Sequence, residues 1–493
     1  MLGASNIEDA FRAFMALYQL PLLLLSAVVT YIAVGPRRKP GIETYYSPHP
    51  TPLRRRKTDH DEDLEEETLI SLLKRKLSTV FGPDAGFVSV PWLPSGDFHT
   101  IYASIGDFSK VDLVEYERIH ISYSDGGLGA LDIYPTFKAH PQEPGEPIVF
   151  VTHGLTGGSH ENYVRSTISV LCAPKSQGGL GMRAVVMNSR GCNGSPLTFP
   201  KIYHAGTTND LRHAILWVSK TFPDSPIFAI GYSLGANQIT RYTGQEGTSC
   251  PLSGVVSVAN PFDFLRANNH IESGSLMNKY LYNYALGGAL QALITRHLPI
   301  YLSDPRSAVP VGPLKEFVEK KRVTIRDFDE VATRHSFGYA NADDYYAQVS
   351  SVRVLENIAV PFLGLNARDD PVTGTETLPK TQALCNPWIL LVRTEHGGHI
   401  GWFEAKPGGG VRRWYPQPIK EFFGALLEYG VAPPARLEFD EVDGRTVMKG
   451  RPDISVRVLR DDEVPPSVPI KSSAKTSAVP FHMWIMRKLF TGW

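Results

Sequence analysis

The stretch "FAIGYSLGAN", residues 228–237, decides the fold. An apolar run reaches Tyr232, a serine stands between two glycines, and residues compatible with a helix follow. Gly231-Tyr232-Ser233-Leu234-Gly235 fits G-x-S-x-G, in which a strand turns sharply into a helix and lifts a serine out of the sheet. Five positions alone are a weak signal. The rest of the chain must supply what a nucleophilic serine needs.

Working outward, short apolar runs alternate with helical stretches over residues 88–432. "PIVFVTHG" (147–154), "AVVMNSRG" (184–191), "PIFAIGYS" (226–233), "GVVSVAN" (254–260), "PFLGLNA" (361–367) and "WILLVRT" (388–394) read as buried strands. Continuous apolar runs separated by helices predict an α/β fold with a mostly parallel central sheet covered on both faces. "TTNDLRHAILWVSKTF" (207–222) reads as a crossover helix. The alternation breaks over about 260–360, where "MNKYLYNYALGGALQALITRHLPIYL" is rich in Leu, Tyr and Asn. Helices inserted there form a cap over the sheet's carboxyl edge, where ligands of open α/β sheets bind.

A serine hydroxyl is a poor nucleophile until a base takes its proton, and the attacked carbonyl needs donors for its oxyanion. The order Ser, then Asp or Glu, then His can be searched for. "PFLGLNARDDPV" supplies Asp369 and Asp370 just past a strand end. Asp370, directly before Pro371, is the first choice and Asp369 the alternative. "WILLVRTEHGGHIGWFE" presents His396 and His399 around two glycines. His399, beside apolar Ile400 and Trp402, is expected to be the base, and His396 to shape the loop. The oxyanion amides are expected at Leu234, after the nucleophile, and at Leu155 in the glycine-rich "THGLTGGSHENY" loop. These pieces together imply a Ser-Asp-His hydrolase needing no metal or organic cofactor.

The chain of 493 residues carries 50 basic and 50 acidic side chains, so charge gives no reason to expect a nucleic-acid partner. Cys172, Cys192, Cys250 and Cys385 are widely separated, which excludes a disulfide framework and fits a reducing compartment. Residues 13–35 carry no charge, and 23 residues suffice to cross a bilayer as a helix. Residues 1–35 are therefore read as a membrane anchor. A cleaved signal peptide, the rival reading, fits less well because Glu8 and Asp9 precede a long apolar stretch. Arg37, Arg38 and Lys39, then Arg54, Arg55, Arg56 and Lys57, place the body on the cytoplasmic side. Residues 36–87 read as a polar, flexible linker, and 433–493 as a mostly disordered tail. The closing "FHMWIMRKLFTGW" has a composition open to three readings: an interfacial segment, a piece docked on the body, or plain disorder.

"HGLTGGSHENYVR", "NSRGCNGSP", "HAGTTNDLRHA", "GYSLGAN", "NPFDF", "NARDDPV" and "HGGHIGWFE" together closely resemble the YheT-like group of α/β-hydrolases. That group includes membrane-anchored lipases and phospholipases, and the fungal medium-chain fatty-acid ethyl ester synthases/esterases. "WLPSGDFHTIYASI" and "ADDYYAQVS" look like its flanking signatures. The resemblance covers about residues 88–430. It implies the α/β-hydrolase fold, a charge relay on Ser233, Asp370 and His399, and acyl ester or lipid substrates. It also implies a single-pass protein whose body faces the cytosol, at the endoplasmic reticulum or a lipid-droplet surface. Where the group often has Gly-His-Leu-Gln-Thr, this chain has Gly96-Asp97-Phe98-His99-Thr100. An H-x4-D match at His120 and Asp125 lies in an early strand and turn and is read as coincidence. The expected activity is a membrane-tethered serine esterase or lipase on medium-chain esters, with acyl transfer to an alcohol as a second outcome. The alternative is a phospholipase or monoacylglycerol lipase working on bilayer lipids.

Overall fold

The apolar runs become strands wherever both faces can be covered. In the computed structural model, which describes residues 41–55 and 66–467, the strands are β1 (Ile42–Tyr46), β2 (Glu117–Ser122), β3 (Leu128–Tyr134), β4 (Ile148–Thr152), β5 (Arg183–Asn188), β6 (Ile227–Tyr232), β7 (Gly254–Val258), β8 (Phe362–Ala367), β9 (Ile389–Thr394), β10 (Phe403–Ala405), β11 (Val411–Arg413), β12 (Phe439–Val442), β13 (Arg445–Met448) and β14 (Arg451–Val458). Helices of eight or more residues are α1 (Leu69–Lys76), α2 (Gly96–Ile105), α3 (Asn162–Cys172), α4 (Asn209–Thr221), α5 (Leu234–Glu246), α6 (Phe264–Ser273), α7 (Asn283–Arg296), α8 (Val311–Glu319), α9 (Ala342–Val349) and α10 (Pro416–Tyr429).

Twelve strands form one sheet in the order β1-β9-β8-β7-β6-β4-β5-β3-β2-β14-β13-β12. From β9 to β5 the strands run parallel, and every one of them is buried along its whole length. Alternation splits each strand between two cores: Val149 and Val151 of β4 face one, Ile148 and Phe150 the other. Outside this run the pairing is antiparallel at both edges, so the sheet is mixed rather than mostly parallel.

Both edges come from segments expected to be unstructured. Within the expected linker, β1 pairs with β9, and Leu53, Leu69, Leu72 and Leu73 are buried in the body's core. Arg54 donates to the Ala359 carbonyl at 2.9 Å and lies over Trp388, so this part of the basic block is docked on the body. Within the expected tail, β14 joins β2, and Met448, Ile454 and Val456 close one core. The anchor over residues 1–35, the charged run 56–65 and the segment 481–493 lie outside the described residues. Among those described, no helix is long and apolar enough to cross a membrane.

Between β7 and β8 the chain leaves the sheet and builds helices α6 to α9 with two π-helical turns, Asn278–Tyr282 and Asp329–Thr333. Their core, with Leu290, Ile294, Phe317 and Phe328, also takes in Leu234 from the sheet edge, and Leu155 packs against it. His120 and Asp125 sit on β2 and the following turn, where Asp125 pairs with Arg190 at 2.9 Å.

Candidate active site

The turn after β6 is forced by two contacts that only glycine tolerates. A Cβ on Gly231 would lie 2.4 Å from the Gly235 carbonyl oxygen, and one on Gly235 would lie 2.4 Å from that of His153. Ser233 sits at a positive φ of 51° with ψ −118°, and its N–H donates to the Val258 carbonyl at 2.9 Å. A non-glycine residue held at positive φ is strained, and such strain persists only where its surroundings fix it. It leaves the hydroxyl projecting from the sheet's carboxyl edge.

Ser233, Asp370 and His399 are brought together by three strand ends. The Ser233 hydroxyl lies 2.8 Å from His399 Nε2, and His399 Nδ1 lies 2.9 Å from Asp370 Oδ2. With Nδ1–H donating to the carboxylate, Nε2 is left as an acceptor for the hydroxyl. Asp370 Oδ1 accepts the amides of Val372 and Thr373 at 2.8 and 3.0 Å. Burial is the largest influence on this carboxyl and pushes it up. The His399 charge and the hydrogen bonds from His399, Thr373 and Val372 outweigh it, so the group is held below the usual carboxylate range.

The alternatives pair with each other. His396 Nδ1 lies 3.0 Å from Asp369 Oδ2, while Asp369 Oδ1 accepts the Gly398 amide at 2.9 Å. This outer pair pins the loop that carries His399. The loop is itself strained at Ile400 and Trp402, non-glycine residues held at positive φ.

Leu155 and Leu234 line the cavity that holds Ser233. Leu234 opens α5, and the first N–H groups of a helix have no partner within it. On either side of Leu155, the Gly154 amide donates to the Tyr163 hydroxyl at 2.9 Å and the Thr156 amide to the Tyr203 hydroxyl at 2.6 Å. These two tyrosines fix the loop while, among the described residues, the Leu155 amide has no hydrogen-bond partner. Sequence reasoning missed both, because each acts across the fold. It also missed Thr100, whose hydroxyl accepts the His399 amide at 2.8 Å. The signal was present in "SGDFHTIYASI", where Thr100 keeps the residue the resemblance leads one to expect.

The cavity measures about 790 Å³, counting space open to solvent at its mouth. Its wall is mainly apolar, with Leu155, Leu234, Phe264, Leu286, Leu290 and Phe328 among the lining side chains.

A serine at a strand-to-helix elbow, linked through histidine to a buried aspartate beneath a helical cap, defines an α/β-hydrolase site. The chain belongs to this family: its model, described as the alpha/beta hydrolase fold, matches residues 147–406. Within the family it groups with the YheT-like esterases and lipases. A monoacylglycerol lipase of Saccharomyces cerevisiae is 33% identical over 67% of this chain and 78% of its own. The medium-chain fatty acid ethyl ester synthase/esterase 2 of the same yeast is 28% identical over 74% of this chain and 91% of its own. The putative esterase YheT of Escherichia coli is 33% identical over 57% of this chain and 78% of its own.

Proposed function

We propose that this chain is a membrane-tethered serine esterase that cleaves acyl esters, medium-chain ones foremost, through an acyl-enzyme. The observation that carries the reading is the hydrogen-bonded series Ser233–His399–Asp370, at 2.8 and 2.9 Å, opening on a mainly apolar cavity. In the proposed reaction, Ser233 attacks the ester carbonyl as His399 takes its proton. His399 then returns the proton to the departing alcohol, while Asp370 orients the ring and stabilises the imidazolium. The amides of Leu155 and Leu234 receive the oxyanion; one such donor is typically worth about 10²-fold or more in rate.

Water opens the acyl-enzyme to give an acid, and an alcohol in its place gives a new ester. The relative named an ethyl ester synthase/esterase supports both outcomes. The uncharged run at residues 13–35 supports tethering, and the basic residues after it support a cytoplasmic body. A second reading, a lipase on monoacylglycerols within the bilayer, is favoured by the relative at 33% identity.

The test is hydrolysis by the full chain in detergent micelles, against its Ser233→Ala variant, on esters of short, medium and long acids. Turnover peaking at medium length and absent from the variant supports the proposal. Adding ethanol then separates ethyl ester from free acid. Turnover confined to monoacylglycerols in vesicles supports the second reading, and turnover that persists in the variant overturns the serine mechanism.

A further inference from the structure

Beside Tyr345, whose hydroxyl accepts the Ala205 amide at 3.0 Å, four side chains break the apolar character of the cavity on its cap side. They are Asn268 on α6, Asp329 and Thr333 on one π-helical turn, and Tyr346 on α9. None is more than 5% exposed. The Thr333 hydroxyl donates to Asp329 Oδ1 at 2.6 Å and the Tyr346 hydroxyl to Oδ2 at 2.7 Å. Burial pushes the Asp329 carboxyl up to about 7, against the pull of those hydrogen bonds and of Arg326. Asn268 stands out further: among the described residues neither its Oδ1 nor its Nδ2 has a hydrogen-bond partner.

A carboxamide buried without partners costs stability that a leucine of similar size would not. A wall meant only for methylene groups has no use for it, nor for a carboxyl held by two hydroxyls. Both groups make sense if a ligand supplies what they lack. An amide offers two donors and an acceptor, which suits a hydroxyl that both gives and receives. Among the described residues no Lys or Arg lines the cavity, so a phosphate or carboxylate would find no counter-charge from them.

We propose that Asn268, with Asp329 in the same cavity, hydrogen-bonds a neutral hydroxyl of the substrate, so that favoured esters carry a free hydroxyl on a glycerol moiety or on the acyl chain. This specificity rests on the esterase reading above. A site built to bond a hydroxyl discriminates against the analogue lacking it, because its own polar groups are then buried unpaired.

The test uses the full chain in detergent micelles and three esters of one saturated acid length: the glyceryl monoester, the propyl ester, and the propyl ester of the ω-hydroxy acid. The wild type should favour one hydroxylated ester over plain propyl ester by about 10- to 100-fold in kcat/KM, and Asn268→Leu should bring that ratio to about one. Preference for the glyceryl ester assigns the hydroxyl to the alcohol, and preference for the hydroxy acid assigns it to the acyl chain. Equal kcat/KM on all three in the wild type, or a preference untouched by Asn268→Leu, overturns the hydroxyl site and leaves the esterase standing. A folded wild type inactive on all three overturns the esterase reading and this one with it. Should Asn268→Leu not fold, the Ser233→Ala protein titrated with the same esters decides. Tighter binding of a hydroxylated ester supports the site, and equal binding overturns it.

Discussion

The Thr100 hydroxyl accepts the backbone N–H of His399 at 2.8 Å and donates to the Gly96 carbonyl at 2.7 Å. One side chain of α2 thus holds a histidine loop distant in sequence. That loop needs holding, because Ile400 and Trp402 sit at φ 60° and 48°, where each residue costs about 1 kcal/mol or more. Thr100→Val keeps the shape and removes the acceptor. It should lower kcat about tenfold with little change in KM, since a slightly misplaced base costs rate before binding. Thr100→Ser should restore the rate. Equal losses in the two variants would mean that packing, not the hydrogen bond, sets the loop.

Ser233→Ala should lower turnover about 10⁴-fold or more, and His399→Ala should come close to it, because the two act as one unit. His396→Ala breaks the outer pair with Asp369 while leaving the Ser233, His399 and Asp370 side chains in place, and should cost about tenfold or less. Steady-state rates on one soluble ester compare all three. A dead His396→Ala beside an active His399→Ala would reverse the proposed roles.

The parallel strands and the elbow were legible because burial on both faces leaves an unbroken apolar run, and the elbow is local. The sheet's edges were not. In β1, "IETYY", every residue is half-buried, and in "RPDISVRV" of β14 Ile454, Val456 and Val458 alternate with Asp453, Ser455 and Arg457. A short strand at or near the sheet's edge carries too little apolar pattern to stand out from a linker. The cluster Ser233, Asp370 and His399 was readable from chain order. Its choice over Asp369 and His396 rests on Pro371 and on the apolar Ile400 and Trp402, and the structure adds the reason, since Gly398 and His396 engage Asp369. Thr100, Tyr163 and Tyr203 act through hydrogen bonds that no spacing encodes.

Two glycines should respond in opposite ways to alanine. A Cβ on Gly96 would lie 1.8 Å from the Asp369 carbonyl oxygen, and backbone cannot yield as a side chain does. Gly96→Ala should destabilise the fold by about 3 kcal/mol and disturb the Asp369–Asp370 turn. Gly288, inside α7, has nothing within 4 Å of the added Cβ. Gly288→Ala should stabilise by about 0.5–1 kcal/mol through helix propensity and a less flexible unfolded chain. Urea unfolding of both variants at neutral pH checks the pair, and equal midpoints would contradict the contact.

Acidification should weaken the fold well before carboxylates in the ordinary range are protonated. Burial lowers His99, His153 and His213 to about 4 and His204 to about 3. In the unfolded chain a histidine protonates near 6.5, so between that pH and about 4 the unfolded state binds more protons and stability falls with pH. Each of the four should lose about 2 kcal/mol between pH 7 and 5. Asp329 works the other way: raised to about 7, it gains protons in the folded state first and stabilises on acidification, offsetting about one histidine. The net effect is a loss, measurable as a lower urea midpoint at pH 5 than at pH 7. His99 offers a direct check, because its Nδ1 accepts the Phe403 amide at 3.1 Å and a glutamine can do the same without titrating. His99→Gln should flatten the pH slope by about one histidine's share. An unchanged slope would mean that His99 takes up its proton equally in both states, and that its burial between Phe87 and Phe403 exerts no hold on its charge.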